Sequence, residues 1–235
     1  MDQENVGKTA RGGLTPASLW GSPWFTVPVL IFFAAGLVVS LGLPYGAEIT
    51  GLNGLRYEPW NTLFAWITRL GEAPAFVLAG ICALFFRYRL TLLVALVGFI
   101  SIPVSYFLKD GFGVDRPITY FEKKGLRDEV VLVPGVRING GQTSFPSGHT
   151  MAAFALYAVL AAGAGRQRLY VHLILACTAI LVGFSRIFLA QHFIYDVLAG
   201  GGVGLALAAL VLAINGRFLP SAGSELDQGL LFRNK

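Results

Sequence analysis

Residues 193–214 read FIYDVLAGGGVGLALAALVLAI, and this stretch decides the class of protein. Its one charged side chain is Asp196, close to its start. As a helix the run rises roughly 33 Å, enough to cross the ~30 Å hydrocarbon core of a bilayer. It is apolar on every face, which a helix on a water-facing surface is not. Gly200 and Gly204 form a Gly-x-x-x-Gly pair inside it, a stripe that admits another helix backbone at close range. A phosphate-cradling glycine loop is excluded, because these glycines lie within the apolar run.

Five further apolar stretches lie upstream, at residues 24–43, 73–86, 90–108, 150–164 and 169–184. The expectation is an all-α, polytopic membrane bundle of six transmembrane helices. Residues 61–70 alternate Leu63, Phe64, Trp66 and Ile67 with Thr68 and Arg69, and read as a short interfacial helix leading into the second span. Pro28 and Pro103 should kink their helices locally. The chain divides into an N-terminal segment 1–23, a membrane domain 24–214 and a tail 215–235. Residues 1–23 do not read as a cleavable signal, since the apolar run after them is too long and carries no small-x-small cleavage site.

Composition agrees. Of 235 residues, 55% are hydrophobic and only 13% charged, about half the charge of an ordinary soluble domain. This excludes a disordered chain, a nucleic-acid-binding domain and a typical cytosolic enzyme. The net charge of +5 is better matched by anionic lipid head groups or a phosphorylated substrate than by nucleic acid. Cys82 and Cys177 sit in separate apolar runs and suggest packing, not a disulfide or a metal site.

Two short basic connectors, Arg87-Tyr88-Arg89 and Arg166-Gln167-Arg168, lack acidic residues and orient the bundle with these loops in the cytoplasm. Both termini then also face the cytoplasm, with Lys8 and Arg11 at one end and Arg217, Arg233 and Lys235 at the other. Loops 44–60, 109–149 and 185–192 face outward.

Ionisable groups at membrane depth are costly and call for a reason. Three clusters gather on the outer side: Lys109 with Arg116-Pro117, Pro146-Ser147-Gly148-His149, and Ser185-Arg186 with His192 and Asp196. Lys109, Arg116 and Arg186 supply three cations, two of them planar forks suited to oxyanions. Ser147 and Gly148 at a helix start offer backbone N–H groups and the positive end of the helix dipole. Such a set holds phosphate and repels a divalent metal. His192 and Asp196, four apart, share a helix face, so the carboxylate can fix one ring N–H and turn the other nitrogen outward as a nucleophile. His149, with no carboxylate at helical spacing, suits general acid and base work.

The three segments, with eleven fixed letters and their spacings intact, resemble the tripartite signature of the type 2 phosphatidic acid phosphatase superfamily. The resemblance covers about residues 60–214. It implies His192 as nucleophile, Asp196 as its orienting partner and His149 as acid–base residue. Lys109, Arg116, Arg186, Ser147 and the Gly148 amide would hold the phosphoryl oxygens, without a metal or other cofactor. It also implies a lipid phosphatase acting at the outer face, with undecaprenyl pyrophosphate, phosphatidylglycerol phosphate, phosphatidic acid and lipid A phosphates as candidate substrates. A phosphotransferase passing the phosphoryl group to another lipid remains the alternative. The apolar spans argue strongly against the vanadate-dependent haloperoxidases, soluble relatives that share the pocket. A transporter is disfavoured by charges at helix ends and the absence of an internal repeat. A small six-helix chain with short connectors is expected in a bacterial inner membrane, and nothing in the sequence specifies an oligomeric state.

Away from the three clusters, His172 reads as packing, Ser147 as a helix cap as well as a phosphate contact, and Ser185 as a backbone contact. Asp110 and Asp115 trim local charge, while Glu48, Glu58 and Glu72 have no partner that sequence identifies. In the outer loop, residues 130–133 and 136–138 flanking Pro134-Gly135 predict a small hairpin. Lys123, Lys124, Arg127 and Arg137 either contact a second phosphate or sugar on the lipid or form a solvated face. Tyr120, Phe121 and Phe145 are candidates for an acyl entrance.

Overall fold

The computed structural model describes residues 14–165, 168–220 and 223–231. Lys8, Arg11, Arg166, Gln167, Arg233 and Lys235, used above for orientation, lie outside these. Ten α-helices and no strand occur among the described residues: α1 (Pro16–Leu19), α2 (Pro23–Gly42), α3 (Ala47–Thr50), α4 (Trp60–Ile67), α5 (Ala73–Phe86), α6 (Tyr88–Phe112), α7 (Pro117–Lys123), α8 (Gly148–Gly163), α9 (Leu169–Phe188) and α10 (Ile194–Phe218).

Four of these, α2, α6, α9 and α10, are long and apolar enough to cross a membrane alone. The expected interfacial helix is α4, continued by a 3-10 turn at Thr68–Gly71. Together these form one bent unit with α5, the two halves meeting at 60°. The fourth expected span, α8, is shorter at 16 residues, or roughly 24 Å. Its length has a physical reason. Phe154, Ala155, Leu156, Ala158 and Val159 are all fully buried, so α8 is sheathed by α6, α9 and α10 and need not match the lipid thickness.

The outer helices show the reverse of a water-soluble pattern. Leu41, Phe99 and Phe107 stand more than 70% exposed on apolar faces, where lipid acyl chains would solvate them. Inside, Phe32 and Phe33 of α2 meet Phe154 of α8 at ring distances of 5.7 and 5.8 Å. The glycine stripe works as a contact surface: a Cβ on Gly200 would stand 2.5 Å from the Ser147 carbonyl oxygen, and one on Gly204 would strike the Met151 carbonyl. The backbones of α8 and α10 therefore touch directly.

The tail closes the end of α6 and α10 away from the three charged clusters. Asp227 accepts from Arg87 Nε at 2.6 Å and Arg89 Nε at 3.0 Å. Arg89 also bonds Asn215, whose amide reaches the Leu14 carbonyl at 2.6 Å. Burial pushes the Asp227 carboxyl up, but hydrogen bonds from Arg89, the Gly223 N–H and Arg87 outweigh it and hold the group below its ordinary value. His172 is buried with Nε2 3.0 Å from the Gly165 carbonyl, as a packing residue should be.

The expected hairpin does not form. The turn survives, with Gly135 at φ 74° and the Val136 N–H reaching the Val133 carbonyl, but its arms do not pair. Side chains from the 44–60 loop take the backbone groups a ladder would use. Asn53 accepts from the Val131 N–H and donates to the Glu129 carbonyl, while Arg56 donates to the Val131 carbonyl at 3.0 Å. Val130 and Val133 are buried against helical residues, including Phe121, Phe64 and Phe188, so their alternation serves packing onto the bundle.

Candidate active site

Each charged cluster sits where a helix ends or begins. Lys109 lies in the last turn of α6, which Gly113 terminates in the left-handed region at φ 57°. The chain turns back and Arg116 caps α7. Its N–H bonds the Gly141 carbonyl, and its guanidinium reaches Thr143 Oγ1 at 3.1 Å and the Gln191 carbonyl at 3.4 Å. Ser147 is the N-cap of α8, accepting from the Thr150 N–H at 3.4 Å and the Thr150 hydroxyl at 2.9 Å. The Gly148 and His149 amides precede these at the positive end of the helix. A Cβ on Gly148 would stand 3.4 Å from Lys109 Nζ, so the ammonium hangs over this helix end.

Arg186 closes α9, with Nη1 2.6 Å from Thr68 Oγ1 and a buried Nε that has no hydrogen-bond partner. A tight corner follows, in which Ala190 takes φ 52°, a conformation that costs roughly 1 kcal/mol in a non-glycine residue. The Gln191 and His192 N–H groups both fold onto the Arg186 carbonyl, at 2.9 and 3.2 Å. This corner places His192 beside Arg186.

His192 precedes α10, and Asp196 lies in its first turn. The Asp196 carboxylate accepts the Phe193 N–H at 2.9 Å, while the Ser147 N–H bonds its backbone carbonyl. Ser144, which sequence reasoning missed, donates to Asp196 Oδ2 at 2.5 Å. His192 Nδ1 lies 3.4 Å from both that carboxylate oxygen and Ser144 Oγ. The ionised carboxylate only accepts, so Nδ1 carries the ring proton and Nε2 keeps its lone pair. Burial first, then Arg186, Arg116 and Lys109, push the His192 pKa well below the ordinary histidine value. Above that lowered pKa the ring is neutral, which is the form a nucleophile needs.

Six of the eight sequence-predicted residues are linked through the contacts Lys109–Gly148, Ser147–Asp196, Asp196–His192 and His192–Arg186, while His149 follows Gly148 and Arg116 joins through the carbonyl of Gln191, next to His192. The structure adds a partner for His149: Nε2 lies 3.2 Å from Oε1 of Glu72, at the corner between the 3-10 turn and α5. That corner is firmly seated. Thr68 holds Arg186, the Tyr157 hydroxyl donates to the Leu70 carbonyl at 2.9 Å, and a Cβ on Gly71 would stand 2.7 Å from the His149 carbonyl oxygen. Sequence alone identifies no partner for Glu72. Of the other acids left unassigned, Glu48 caps the Ile194 N–H at 3.0 Å and Glu58 accepts from the Thr62 N–H. Ser185 bonds the Val182 carbonyl at 2.6 Å, the backbone role expected of it.

Two cavities adjoin the site. A cleft of about 830 Å³ between α5, α6 and α8 is lined by Phe76, Val94, Phe99, Ile102 and Met151, and ends at Lys109 and Gly148. It takes the place of the expected acyl entrance. Tyr120 and Phe121 instead pack around Phe193 and Tyr45, and Phe145 packs on Phe112. A second pocket of about 290 Å³ is of mixed lining, with His149 and Arg186 in its wall beside Arg69, Glu72 and Arg137. Of the loop cations, Lys123 is tied to Asp115 at 2.7 Å and Arg127 reaches the Val130 carbonyl, whereas Arg137 lines this second pocket. Among the described residues no three His, Cys, Asp or Glu side chains gather as a metal site.

A helical membrane protein with a buried, cation-walled site beside an apolar cleft is built to bring charged phosphate chemistry to a lipid. Comparison with known proteins defines the class further. Residues 88–219 match the PAP2 superfamily, and the chain belongs to it, in its membrane lipid phosphatase branch. It is 34% identical over 170 residues to phosphatidylglycerophosphatase B of Bacillus subtilis (strain 168), covering 66% of this chain and 75% of that protein. It is 28% identical over 170 residues to lipid A 4'-phosphatase of Porphyromonas gingivalis, covering 69% of each. Among solved structures, LpxE of Aquifex aeolicus superposes with a TM-score of 0.61 at 26% identity, over 72% of this chain and 94% of that one. The transmembrane PAP2 type phosphatidylglycerolphosphate phosphatase of Bacillus subtilis gives 0.58 at 27%, over 87% and 97%.

Proposed function

We propose that this protein is a metal-independent lipid phosphatase that works through a phosphohistidine. We place it as a six-span protein of a bacterial inner membrane, with the site on the periplasmic face and both termini in the cytoplasm. The observation that carries the mechanism is the buried His192 ring, held through Nδ1 by Asp196 and Ser144 beside three cations and a helix N-terminus.

Phosphoryl oxygens are held by Lys109, Arg116, Arg186, Ser147 and the Gly148 amide. His192 Nε2 attacks phosphorus, and the bond from phosphorus to the lipid oxygen breaks as His149 gives that oxygen a proton. His149 then takes a proton from water, whose oxygen attacks phosphorus; the P–N bond breaks and inorganic phosphate leaves. The lipid chains lie in the apolar cleft, which opens at Lys109 and Gly148.

Purified protein in detergent with EDTA should release inorganic phosphate from a panel of lipid mono- and pyrophosphates. Release that requires an added divalent ion would overturn the metal-free mechanism. Label moving from donor to acceptor lipid with no free phosphate would establish the phosphotransferase instead.

Glu72 positions His149 in this scheme. Glu72→Gln should lower kcat/KM, which reports only the steps up to departure of the leaving group, about tenfold on a lipid alkyl phosphate, a fraction of the 10²–10⁴ that general acid catalysis supplies. An aryl phosphate whose leaving group needs no protonation should lose less than twofold. Equal losses on both substrates would show that Glu72 only supports the fold.

A further inference from the structure

We propose that Ser105 is a specificity-determining residue, its hydroxyl donating to an ester carbonyl of the lipid where the apolar cleft meets the phosphate site. This rests on the phosphatase reading above and deepens it by naming what the cleft selects: an acyl ester beside the phosphate, over a plain hydrocarbon chain.

One face of α6 walls the cleft, and Thr91, Gly98, Ile102, Ser105 and Lys109 follow one another along it toward the site. Side chains on a helix lean back toward its N-terminus, so the Lys109 ammonium returns over the turn that carries Ser105. Both groups meet the same point on α8. A Cβ on Gly148 would stand 3.4 Å from Lys109 Nζ and 3.0 Å from Ser105 Oγ. The half-buried Ser105 hydroxyl therefore marks the seam of the cleft. On one side of it is the cation that would hold a phosphoryl oxygen. On the other are Phe76, Phe99 and Ile102, which suit only hydrocarbon.

A hydroxyl in such a place needs an acceptor. Two other hydroxyls of the cleft have one in the helices themselves: Ser101 donates to the Val97 carbonyl at 2.7 Å, and Thr91 to the Gly80 carbonyl of α5 at 3.2 Å. The Ser105 hydroxyl has no hydrogen-bond partner among the described residues. Lipid filling the cleft takes water away from it, and a desolvated hydroxyl left without an acceptor costs free energy. Past its bridging oxygen a prenyl phosphate offers only carbon. An acylglycerol phosphate carries an ester carbonyl a few bonds from phosphorus. Ser105 stands roughly 6 Å from Lys109 along the axis of α6, one helical turn toward the chains. A phosphate held at Lys109 thus brings that carbonyl to the Ser105 hydroxyl, which donates to it.

Purified full-length protein in mixed micelles would be assayed on diacyl phosphatidic acid, on its dialkyl ether analogue, which keeps the chains and loses the carbonyls, and on farnesyl phosphate. The readout is the ratio of kcat/KM for the diacyl lipid to that for the ether lipid. The unaltered protein should favour the diacyl lipid about fivefold, the effect of one neutral hydrogen bond. Ser105→Ala should bring the ratio close to one and hydrolyse farnesyl phosphate no less well than before. Ser105→Thr, which keeps the hydroxyl, should retain most of the preference. A ratio near one in the unaltered protein, or a ratio unmoved by alanine, overturns the proposal. So does a loss on farnesyl phosphate equal to that on the diacyl lipid, which would put the hydroxyl on the phosphate or its bridging oxygen. Equal loss of preference in both variants overturns it too, since space and not the hydroxyl would then set the ratio. Phosphate release persists in all these outcomes and leaves the phosphatase reading intact. Failure of the unaltered protein to hydrolyse any of the three lipids overturns that reading itself.

Discussion

His192→Ala is expected to reduce phosphate release by about 10⁴-fold or more, because the proposed covalent mechanism loses its nucleophile, and with it the whole double-displacement route. The ring is 1% exposed and touches Asp196 and Ser144 at 3.4 Å, so alanine leaves a small polar cavity and not an unpaired charge. The fold should therefore survive, with detergent-solubilised protein eluting and melting nearly as before. A stronger check is the intermediate itself. Brief exposure of the unaltered protein to ³²P-labelled lipid should leave an acid-labile, base-stable label of the kind a phosphoramidate gives, and His192→Ala should carry none. A labelled variant, or one retaining even a tenth of the activity, would remove His192 from the nucleophile's place.

Two of the three charged segments were legible because their residues are related by spacing within a helix turn or a cap. Ser147-Gly148-His149 opens α8, and His192 stands just ahead of α10 with Asp196 in its first turn. What stayed hidden depends on contacts between distant segments. Glu72 meets His149 across 77 positions, with no periodic relation to announce it. Ser144 sits three residues before a recognised motif serine, yet its bond to Asp196 spans 52 positions. The hairpin expected at 130–138 failed for a related reason. Alternating valines describe a half-buried extended chain, and neither strand pairing nor packing on helices is encoded in the alternation. Here Asn53 and Arg56 supply the hydrogen bonds that a second strand would have given. Helix length was similarly ambiguous: α8 reads as a short span, and only its burial by three other helices shows why 16 residues suffice.

The glycine stripe on α10 joins the fold to the chemistry, and substitution at Gly200 should expose that link. A Cβ there would lie 2.5 Å from the carbonyl oxygen of Ser147 and 3.3 Å from its backbone nitrogen. The clash is with backbone, so no rotamer change relieves it and the helices must part. Overpacking of this kind costs about 1–3 kcal/mol. The displaced element is the N-terminus of α8 itself, which carries Ser147, Gly148 and His149 of the candidate site. Gly200→Ala should thus lower both melting temperature and kcat, the latter by about 10²-fold if the α8 amides move by an ångström. Gly202, two residues along the same helix, provides the control, because a Cβ at that position would meet nothing within 4 Å. Gly202→Ala should leave kcat unchanged and raise stability by about 0.5–1 kcal/mol through helix propensity. Thermal melts and turnover measured side by side on the two variants decide the matter. Equal behaviour would mean that α8 and α10 are not in direct backbone contact. A Gly200→Ala protein that melts early yet turns over at full rate would mean that the seat of the α8 N-terminus does not govern the site.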